Sequence, residues 1–269
     1  MDDGRAKSGE PKGGRVMLTG PLLRLGMLTP SSNTVLEPVM AAMLAGLPGL
    51  SLHVSRFRVT QIALSETALA QFDLAPMVAA AELLADARCD VIAWNGTSAG
   101  WLGFDRDEAL CAAITAATGI PATSAVLGFR EVFRATGARR IGLVTPYTAD
   151  VQDRIMTNWA AAGFPCTAER GVGLAENFAF ATVREDEVEA MVRAVVREGC
   201  DAVAIVCTNM RGAALADRLE RELGVPVYDS VSVTLRSSLV AAGADPAAER
   251  FAALRSWGRL FGSPVGEAA

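Results

Sequence analysis

The chain has 269 residues, of which 51% are hydrophobic, so it can bury the core of one large domain or two smaller ones. Its 25 basic and 30 acidic residues give a net charge of −5, which argues against a nucleic-acid-binding protein because phosphates need a basic surface. A single histidine, His53, argues against a zinc site, and short, interrupted apolar runs argue against a membrane span. The 5 scattered cysteines form no CxxC pair and favour free thiols in the cytoplasm.

Short apolar strands alternate with helices along the chain, after a polar and glycine-rich leader over residues 1–20 that is predicted to be disordered. The predicted strands are Leu23–Leu28, Leu50–Val59, Val91–Trp94, Ile141–Val144, Thr167–Val172, Ala202–Val206 and Val225–Val227, with another opened by Gly119-Ile120-Pro121. The predicted helices are Val35–Leu44, Leu74–Ala87, Asp105–Ala117, Asp150–Ala162, Glu185–Glu198, Arg211–Leu223 and Val231–Ala241. This order predicts an α/β fold of parallel sheets flanked by helices on both faces.

Three segments occur twice in the same order, which indicates an internal repeat. The pairs are Leu25–Pro30 with Ile141–Pro146, Cys89–Thr97 with Cys200–Thr208, and Gly119–Pro121 with Gly224–Pro226. Two pseudo-symmetric α/β domains are therefore predicted, the first over residues 21–120 plus 228–269 and the second over residues 121–227. Because ligands bind beyond the carboxyl ends of parallel strands, we expect the active site in the cleft between the two sheets.

Four turns are expected to line this cleft, and they begin at Pro30, Gly96, Pro146 and Cys207. The small residues after Gly96 favour an anion-binding turn, and a helix starting after Cys207 is expected to lower the pKa of its thiol. Together the turns predict a site for a small carboxylate with one activated sulfur. Helix capping and core packing are the alternative explanations for each turn taken alone.

These turns resemble motifs of the aspartate/glutamate racemase superfamily, and they are most similar to its maleate cis–trans isomerase and arylmalonate decarboxylase branches. The motifs are Pro30-Ser31-Ser32-Asn33-Thr34, Gly96-Thr97-Ser98, Pro146-Tyr147 and Cys207-Thr208. A further similarity, to the ectoine-utilisation protein A branch, is carried by Trp94–Phe104 and Cys207–Arg211. The resemblance implies a two-domain enzyme that needs no cofactor or metal and acts on a small carboxylate. A homo-oligomer is the default for such enzymes.

The number of cysteines in the site separates the branches. Racemases and maleate isomerases of this superfamily carry a cysteine in each half, whereas this chain has Gly96 in the first half and Cys207 in the second. A glycine before Thr-Ser and a single second-half cysteine resemble the arylmalonate decarboxylases. In contrast, Asn33, Tyr147 and Asn177 resemble the carboxylate-binding residues of maleate isomerases.

Three functions remain open at this point. The first is a lyase that decarboxylates a malonate-like acid, leaving an enediolate whose charge needs preorganised donors. Its catalytic residues are predicted to be Cys207 as the proton donor with Thr97, Ser98 and Tyr147, and its substrate-binding residues Pro30, Ser31, Asn33, Gly96, Asn177 and Thr208. The second is a single-thiol isomerase or racemase of a small dicarboxylate or amino acid. The third is a non-catalytic binder of a small acid, against which the retained Tyr147 and Cys207 argue.

Overall fold

Two parallel four-stranded sheets form the centre of the protein, whose computed structural model describes residues 22–262. The strands of the first sheet are β1 Leu23–Pro30, β2 Leu50–Phe57, β3 Val91–Trp94 and β4 Ala122–Ser124, in the order β2-β1-β3-β4. Those of the second are β5 Ile141–Tyr147, β6 Cys166–Leu174, β7 Ala202–Ile205 and β8 Val227–Asp229, in the order β6-β5-β7-β8. The helices are α1 Leu36–Leu44, α2 Glu66–Leu69, α3 Leu74–Asp86, α4 Ala99–Leu102, α5 Phe104–Thr118, α6 Ala125–Thr136, α7 Ala149–Ala161, α8 Glu185–Glu198, α9 Ala216–Leu223 and α10 Ser230–Ala241.

The predicted fold class, two pseudo-symmetric units with parallel sheets flanked by helices, is confirmed. Each sheet has its first and third strands at the centre, and every strand pair is parallel. The inner strands β3 and β7 are buried at every residue, which explains their short, wholly apolar sequences. Because the repeat places β1 and β5 at equivalent positions, the turns that follow them lie at equivalent sheet edges.

Close packing between a glycine and a cysteine explains part of the internal repeat. A Cβ on Gly26 would lie 3.1 Å from the Cys89 Sγ, and a Cβ on Gly142 would lie 3.0 Å from the Cys200 Sγ. Any larger residue at either glycine would overpack the sheet against the preceding helix. Cys89 and Cys200 are thus buried packing residues, and their repetition reflects the fold.

The last strand of each sheet lies just outside the residue range predicted for its domain. β4 pairs with β3 from Ile92↔Ala122 to Trp94↔Ser124, and β8 pairs with β7 from Val203↔Val227 to Ile205↔Asp229. Each sheet therefore includes residues that lie up to a few positions beyond the domain boundaries predicted at residues 120 and 227. The helix α10 packs on β3 and β4, so the chain after residue 228 returns to the first sheet. The division into independent domains stays a prediction.

Four helices differ from the predicted pattern, and two of them, the short α2 and α4, have no counterpart in it. The helix α6 was not predicted, although the side chain of Ser124 caps its start by accepting a hydrogen bond from the Leu127 N–H, and Gly137 ends it at φ 69°. The helix predicted over Arg211–Leu223 begins only at Ala216, after a short 3₁₀ turn. Gly212 lies in this preceding segment, where a Cβ would come within 2.7 Å of the Asp229 carboxylate.

One described segment, Glu66–Asp86, is long and apolar enough to cross a membrane by length and composition alone. Its buried side chains include Phe72, Met77 and Leu84, and α3 packs on β1, β2 and α5. This packing accounts for the apolar character of the segment as one layer of the fold. The leader predicted over residues 1–20 lies outside the described residues.

Candidate active site

The four turns predicted to line the cleft surround one small cavity. The centre of a water molecule can occupy about 10 Å³ within it. Its lining residues are Pro30, Val59, Ile62, Phe72, Trp94, Gly96, Thr97, Ser98, Trp101, Tyr147, Asn177, Cys207 and Thr208. Each of the four turns contributes at least one of them, as the repeat predicts. Of the ten predicted site residues, the structure brings eight to this cavity, and Ser31 and Asn33 lie outside its lining.

A chain of hydrogen bonds links the two halves at the cavity. The Tyr147 hydroxyl lies 2.6 Å from the Thr97 Oγ1 and also hydrogen-bonds the Cys207 thiol. The phenol has one proton, so when Tyr147 donates to the sulfur, Thr97 donates to the phenol oxygen. This arrangement of donors stabilises the Cys207 thiolate after the thiol has lost its proton.

The pKa of Cys207 is raised to about 12, chiefly by burial, and the hydrogen bonds from Tyr147 and from the Asn209 N–H offset only part of this effect. The predicted lowering of this pKa is therefore wrong. No helix starts at Thr208, since residues between Cys207 and Ala213 form a turn, and the side chain of Cys207 is only 2% exposed. A protonated thiol in the cavity is suited to donating a proton, because at neutral pH it carries one.

The second turn offers unused hydrogen-bond donors. Within residues 22–262, the backbone N–H groups of Thr97 and Ser98 have no recorded acceptor. The Ser98 hydroxyl accepts from the Trp94 indole N–H at 3.3 Å, which leaves its own proton free to donate. Three donors from two adjacent residues can thus converge on a carboxylate or an enediolate oxygen.

Gly96 is required because the Trp94 indole lies directly over it. An ideal Cβ on Gly96 would come within 2.0 Å of a ring carbon, so no side chain fits without moving the indole. Trp94 is fully buried and packs against Phe57 at 5.1 Å between ring centroids. The position at which related two-cysteine enzymes carry their first thiol is therefore covered by an indole here.

An apolar wall, which the sequence did not identify, completes the cavity. Its members are Val59, Ile62, Phe72, Trp94 and Trp101. Trp101 contacts both the Phe72 ring, at 5.8 Å, and the Tyr147 ring, at 5.3 Å between centroids. Such a wall beside a few polar donors is typical of a pocket for a ligand with one apolar and one charged end.

Ser31 and Asn33, predicted to bind substrate, make hydrogen bonds to other parts of the chain, and their role in binding stays a prediction. The Ser31 hydroxyl accepts from the Val59 N–H at 3.3 Å, at an exposed position. The Asn33 Oδ1 caps the first turn of α1, and its Nδ2 donates to the Thr208 Oγ1 at 3.1 Å. Asn33 therefore joins the first turn to the fourth, and it reaches the cavity only through Thr208.

Asn177 lines the cavity, but its amide is also engaged, since Nδ2 donates to the Ser32 Oγ at 2.7 Å. Asn209, which the sequence did not identify, lies in the same half as Asn177 and joins it to the first turn. Its Oδ1 accepts from the Thr34 N–H at 2.9 Å and its Nδ2 donates to the Asn177 carbonyl at 2.6 Å. The side-chain amides thus hold the two halves together around the thiol.

Known proteins share both the sequence and the fold. A maleate isomerase from Nocardia farcinica is 30% identical over 80% of this chain and 88% of its own length. An arylmalonate decarboxylase from Bordetella bronchiseptica is 31% identical over 64% of this chain and 70% of its own. A mutant of the Nocardia farcinica maleate cis-trans isomerase, solved with a covalently bound succinylcysteine intermediate, superposes with a TM-score of 0.79 at 26% identity, covering 89% of this chain and 98% of that one.

The predicted resemblance is confirmed by these comparisons, and with it the prediction of an enzyme. The sequence model described as arylmalonate decarboxylase matches residues 28–255, which include all four turns, the end of β1 and the other seven strands. The fold, the repeated turns and the cavity between them agree with that match, and the chain belongs to the arylmalonate decarboxylase family.

Proposed function

We propose that the protein is a cofactor-independent decarboxylase of a malonate-like acid that carries an apolar substituent, with Cys207 as its proton donor. The observation that carries this proposal is the one-sided placement of the acid. Cys207 is the sole thiol lining the cavity within residues 22–262, and the Trp94 indole covers the equivalent position at Gly96. One positioned acid is what protonation of an enediolate requires, whereas racemisation needs a second acid on the opposite face.

The reaction would proceed in two steps. The carbon–carbon bond to one carboxylate breaks, CO₂ leaves, and the electron pair stays on the substrate as an enediolate. The N–H groups of Thr97 and Ser98 and the Ser98 hydroxyl hold its oxygens, while Tyr147 supports the thiol. The Cys207 S–H then protonates the carbon and becomes a thiolate, which the Tyr147 hydroxyl stabilises. The apolar wall takes the substituent and excludes water from the carboxylate that leaves.

The alternative is an isomerase, which the sequence similarity to a Nocardia farcinica maleate isomerase favours. The succinylcysteine in the related mutant joins a cysteine to the bound four-carbon acid in that protein. Such an addition needs a thiolate nucleophile, and burial holds the pKa of Cys207 at about 12. The protonated state of this thiol favours decarboxylation over isomerisation in this chain.

Incubation with a panel of acids, followed by proton NMR, tests the proposal. The panel holds phenyl- and alkyl-substituted malonates, malonate itself and maleate. We expect CO₂ release from the substituted malonates and no fumarate from maleate. Cys207→Ser should lose activity by roughly a hundredfold or more, and Cys166→Ser, which changes a thiol outside the cavity, should not. Fumarate formation without decarboxylation would establish the isomerase instead, and binding without turnover of any acid would establish the binder.

Other expectations stay predictions. They are a homo-oligomeric assembly, a cytoplasmic location, the absence of nucleic-acid, membrane and metal partners, and the similarity to ectoine-utilisation protein A.

A further inference from the structure

Asp229 is a buried carboxyl group that the mechanism above leaves unused. It ends β8 and caps α10, where its Oδ1 accepts from the Val231 N–H at 2.8 Å and from the Ser232 N–H at 3.4 Å. Its exposed fraction is 0%, and its second oxygen, Oδ2, has no hydrogen-bond partner within the described part of the chain. An unpaired oxygen on a buried carboxyl costs free energy, so a purely structural role explains it poorly.

Capping alone does not require this carboxyl. In the first half of the repeat, Ser124 occupies the equivalent position at the end of β4, where its hydroxyl caps α6 by accepting from the Leu127 N–H at 3.1 Å. A hydroxyl therefore suffices for the same local structure. The carboxyl at 229 adds an ionisable group on the half that holds the thiol.

The free oxygen of Asp229 faces the turn that carries the thiol. Gly212 ends this turn, and a Cβ there would lie 2.7 Å from the Oδ2. Asp229 also acts electrostatically on Cys207, which it helps to keep protonated. Two titratable groups act on Cys207 within the described residues, Tyr147 by a hydrogen bond and Asp229 by charge.

The state of Asp229 suits proton exchange. Burial raises its pKa to about 7, with the Val231 and Ser232 N–H groups opposing the shift and no cation offsetting it among the described residues. Tyr147 cannot serve in the same way, because burial raises the pKa of its hydroxyl well above its usual value. Of the two titratable groups that act on the thiol, Asp229 alone can both hold and release a proton near neutrality.

Decarboxylation creates a need for such a group. Each turnover moves the Cys207 proton to the product carbon and leaves a thiolate on a side chain that is only 2% exposed. One proton must therefore return from water before the next turnover.

We propose, building on the proposed function, that Asp229 is a proton relay for Cys207. After the thiol protonates the enediolate, the Asp229 carboxylic acid transfers its proton to the thiolate through a water molecule. The S–H bond re-forms, Asp229 becomes a carboxylate, and a proton from solvent restores the acid. One proton enters per CO₂ released, as decarboxylation of a malonate dianion requires. Asp229 does not touch the substrate and acts through Cys207.

Single-turnover and steady-state rates of Asp229→Asn test the relay. The amide keeps the cap acceptor but cannot exchange a proton in this way. Because the variant starts with a protonated thiol, its first turnover should keep the wild-type rate, and later turnovers should slow by roughly tenfold to a hundredfold, giving a burst of one product per site. The burst should leave Cys207 as a thiolate, visible by its absorbance and by rapid alkylation. Asp229→Ser should behave likewise, because it also retains a cap.

Asp107→Asn is the matched control, since burial likewise raises the pKa of Asp107 to about 7 and it has no recorded interaction with Cys207. Its first and later turnovers should equal those of the wild type. Equal slowing of both phases in Asp229→Asn, or slowing of neither, would overturn the relay while leaving decarboxylation in place. A wild type that decarboxylates no malonate would instead overturn the proposed function, and the relay with it.

Discussion

Cys207 illustrates how burial can reverse the effect expected from local sequence. Its position at the end of a strand was correctly expected to bring it to the cavity, because the repeat aligns it with Gly96. The expected lowering of its pKa was wrong, because the pKa depends on how closely Tyr147 and the apolar wall exclude water from the thiol. Sequence patterns fix which turn a residue belongs to, whereas solvent exclusion depends on contacts between distant segments.

Alkylation provides a direct check of this thiol. With its pKa near 12, Cys207 should react slowly with iodoacetamide at neutral pH, and its rate should rise with pH beyond the usual range of a thiol. The half-buried Cys166 is the internal reference, whose pKa is also raised to about 12. Mass spectrometry after brief labelling measures both. Rapid labelling of Cys207 in the folded protein at neutral pH would contradict the protonated-thiol account.

Gly96 and Trp94 should behave as one packing unit. Gly96→Cys must displace the indole, so it should lower the free energy of unfolding by roughly 1–3 kcal/mol or more. Trp94→Leu combined with Gly96→Cys should cost less than the sum of the two single variants, because a smaller side chain admits the new Cβ. Urea unfolding of the two single variants and the double variant measures the coupling. If the changes in the free energy of unfolding of the two single variants add up to that of the double variant, the indole does not restrict Gly96.

The same double variant has a consequence for catalysis. A thiol at 96 would face Cys207 across the cavity, so the double variant should racemise a chiral product that the wild type leaves unchanged. A well-folded double variant without this activity would contradict the opposite placement of the two positions.

At the scale of elements, two loops cross the cavity and are joined to each other. Gln61, which follows β2, forms an antiparallel bridge with Glu176, which follows β6. The flanking hydrogen bonds run from the Ile62 N–H to the Ala175 carbonyl at 2.8 Å and from the Asn177 N–H to the Thr60 carbonyl at 2.9 Å. We call the joined loop segments 60–62 and 175–177 the strap. Because Ile62 and Asn177 line the cavity, we expect the strap to open when a substrate enters.

A disulfide across the strap tests its opening. Gln61 and Glu176 form a non-hydrogen-bonded antiparallel pair, whose Cα atoms lie about 4.5 Å apart in such pairs, within the range that a disulfide spans. Gln61→Cys with Glu176→Cys should lose kcat/KM by roughly tenfold or more when oxidised and recover on reduction. The single variants serve as controls. Full activity of the oxidised form would show that substrate enters by another route.

The elements that were not predicted from the sequence have interrupted or irregular patterns of apolar residues. In α6, Gly128 interrupts the helical pattern, and its role is visible only in three dimensions, where a Cβ would lie 2.4 Å from the Ser237 hydroxyl of α10. The strap has no regular periodicity, since a single bridge defines it. The central strands were predicted because they are short, wholly buried and repeated, which leaves an unambiguous apolar pattern.

For the whole molecule, buried carboxyls should make stability depend on pH. Burial raises the pKa of Asp107 and of Asp229 from 3.8 to about 7. Between pH 3.8 and about pH 7, both carboxyls are ionised in the unfolded chain but keep their protons in the folded chain. The free energy of unfolding therefore falls as the pH rises through this range and levels off above about pH 7. A tenfold difference in acidity corresponds to about 1.4 kcal/mol, so each carboxyl contributes up to a few kcal/mol.

Urea unfolding across this pH range measures the effect. Asp107→Asn combined with Asp229→Asn should flatten the decline, because neither amide ionises. The double variant should also gain stability relative to the wild type at neutral pH. An unchanged slope would mean that these two carboxyls are charged in the folded protein.

The stereochemistry of decarboxylation tests the central claim, one acid on one face, most directly. The wild-type enzyme is given a disubstituted malonate in deuterium oxide, and the product is analysed by chiral chromatography and mass spectrometry. Protonation from Cys207 alone, with Trp94 over the opposite face, predicts a single enantiomer carrying one deuterium at the new stereocentre. A racemic product would contradict the account, because the proton would then have reached the carbon from both faces.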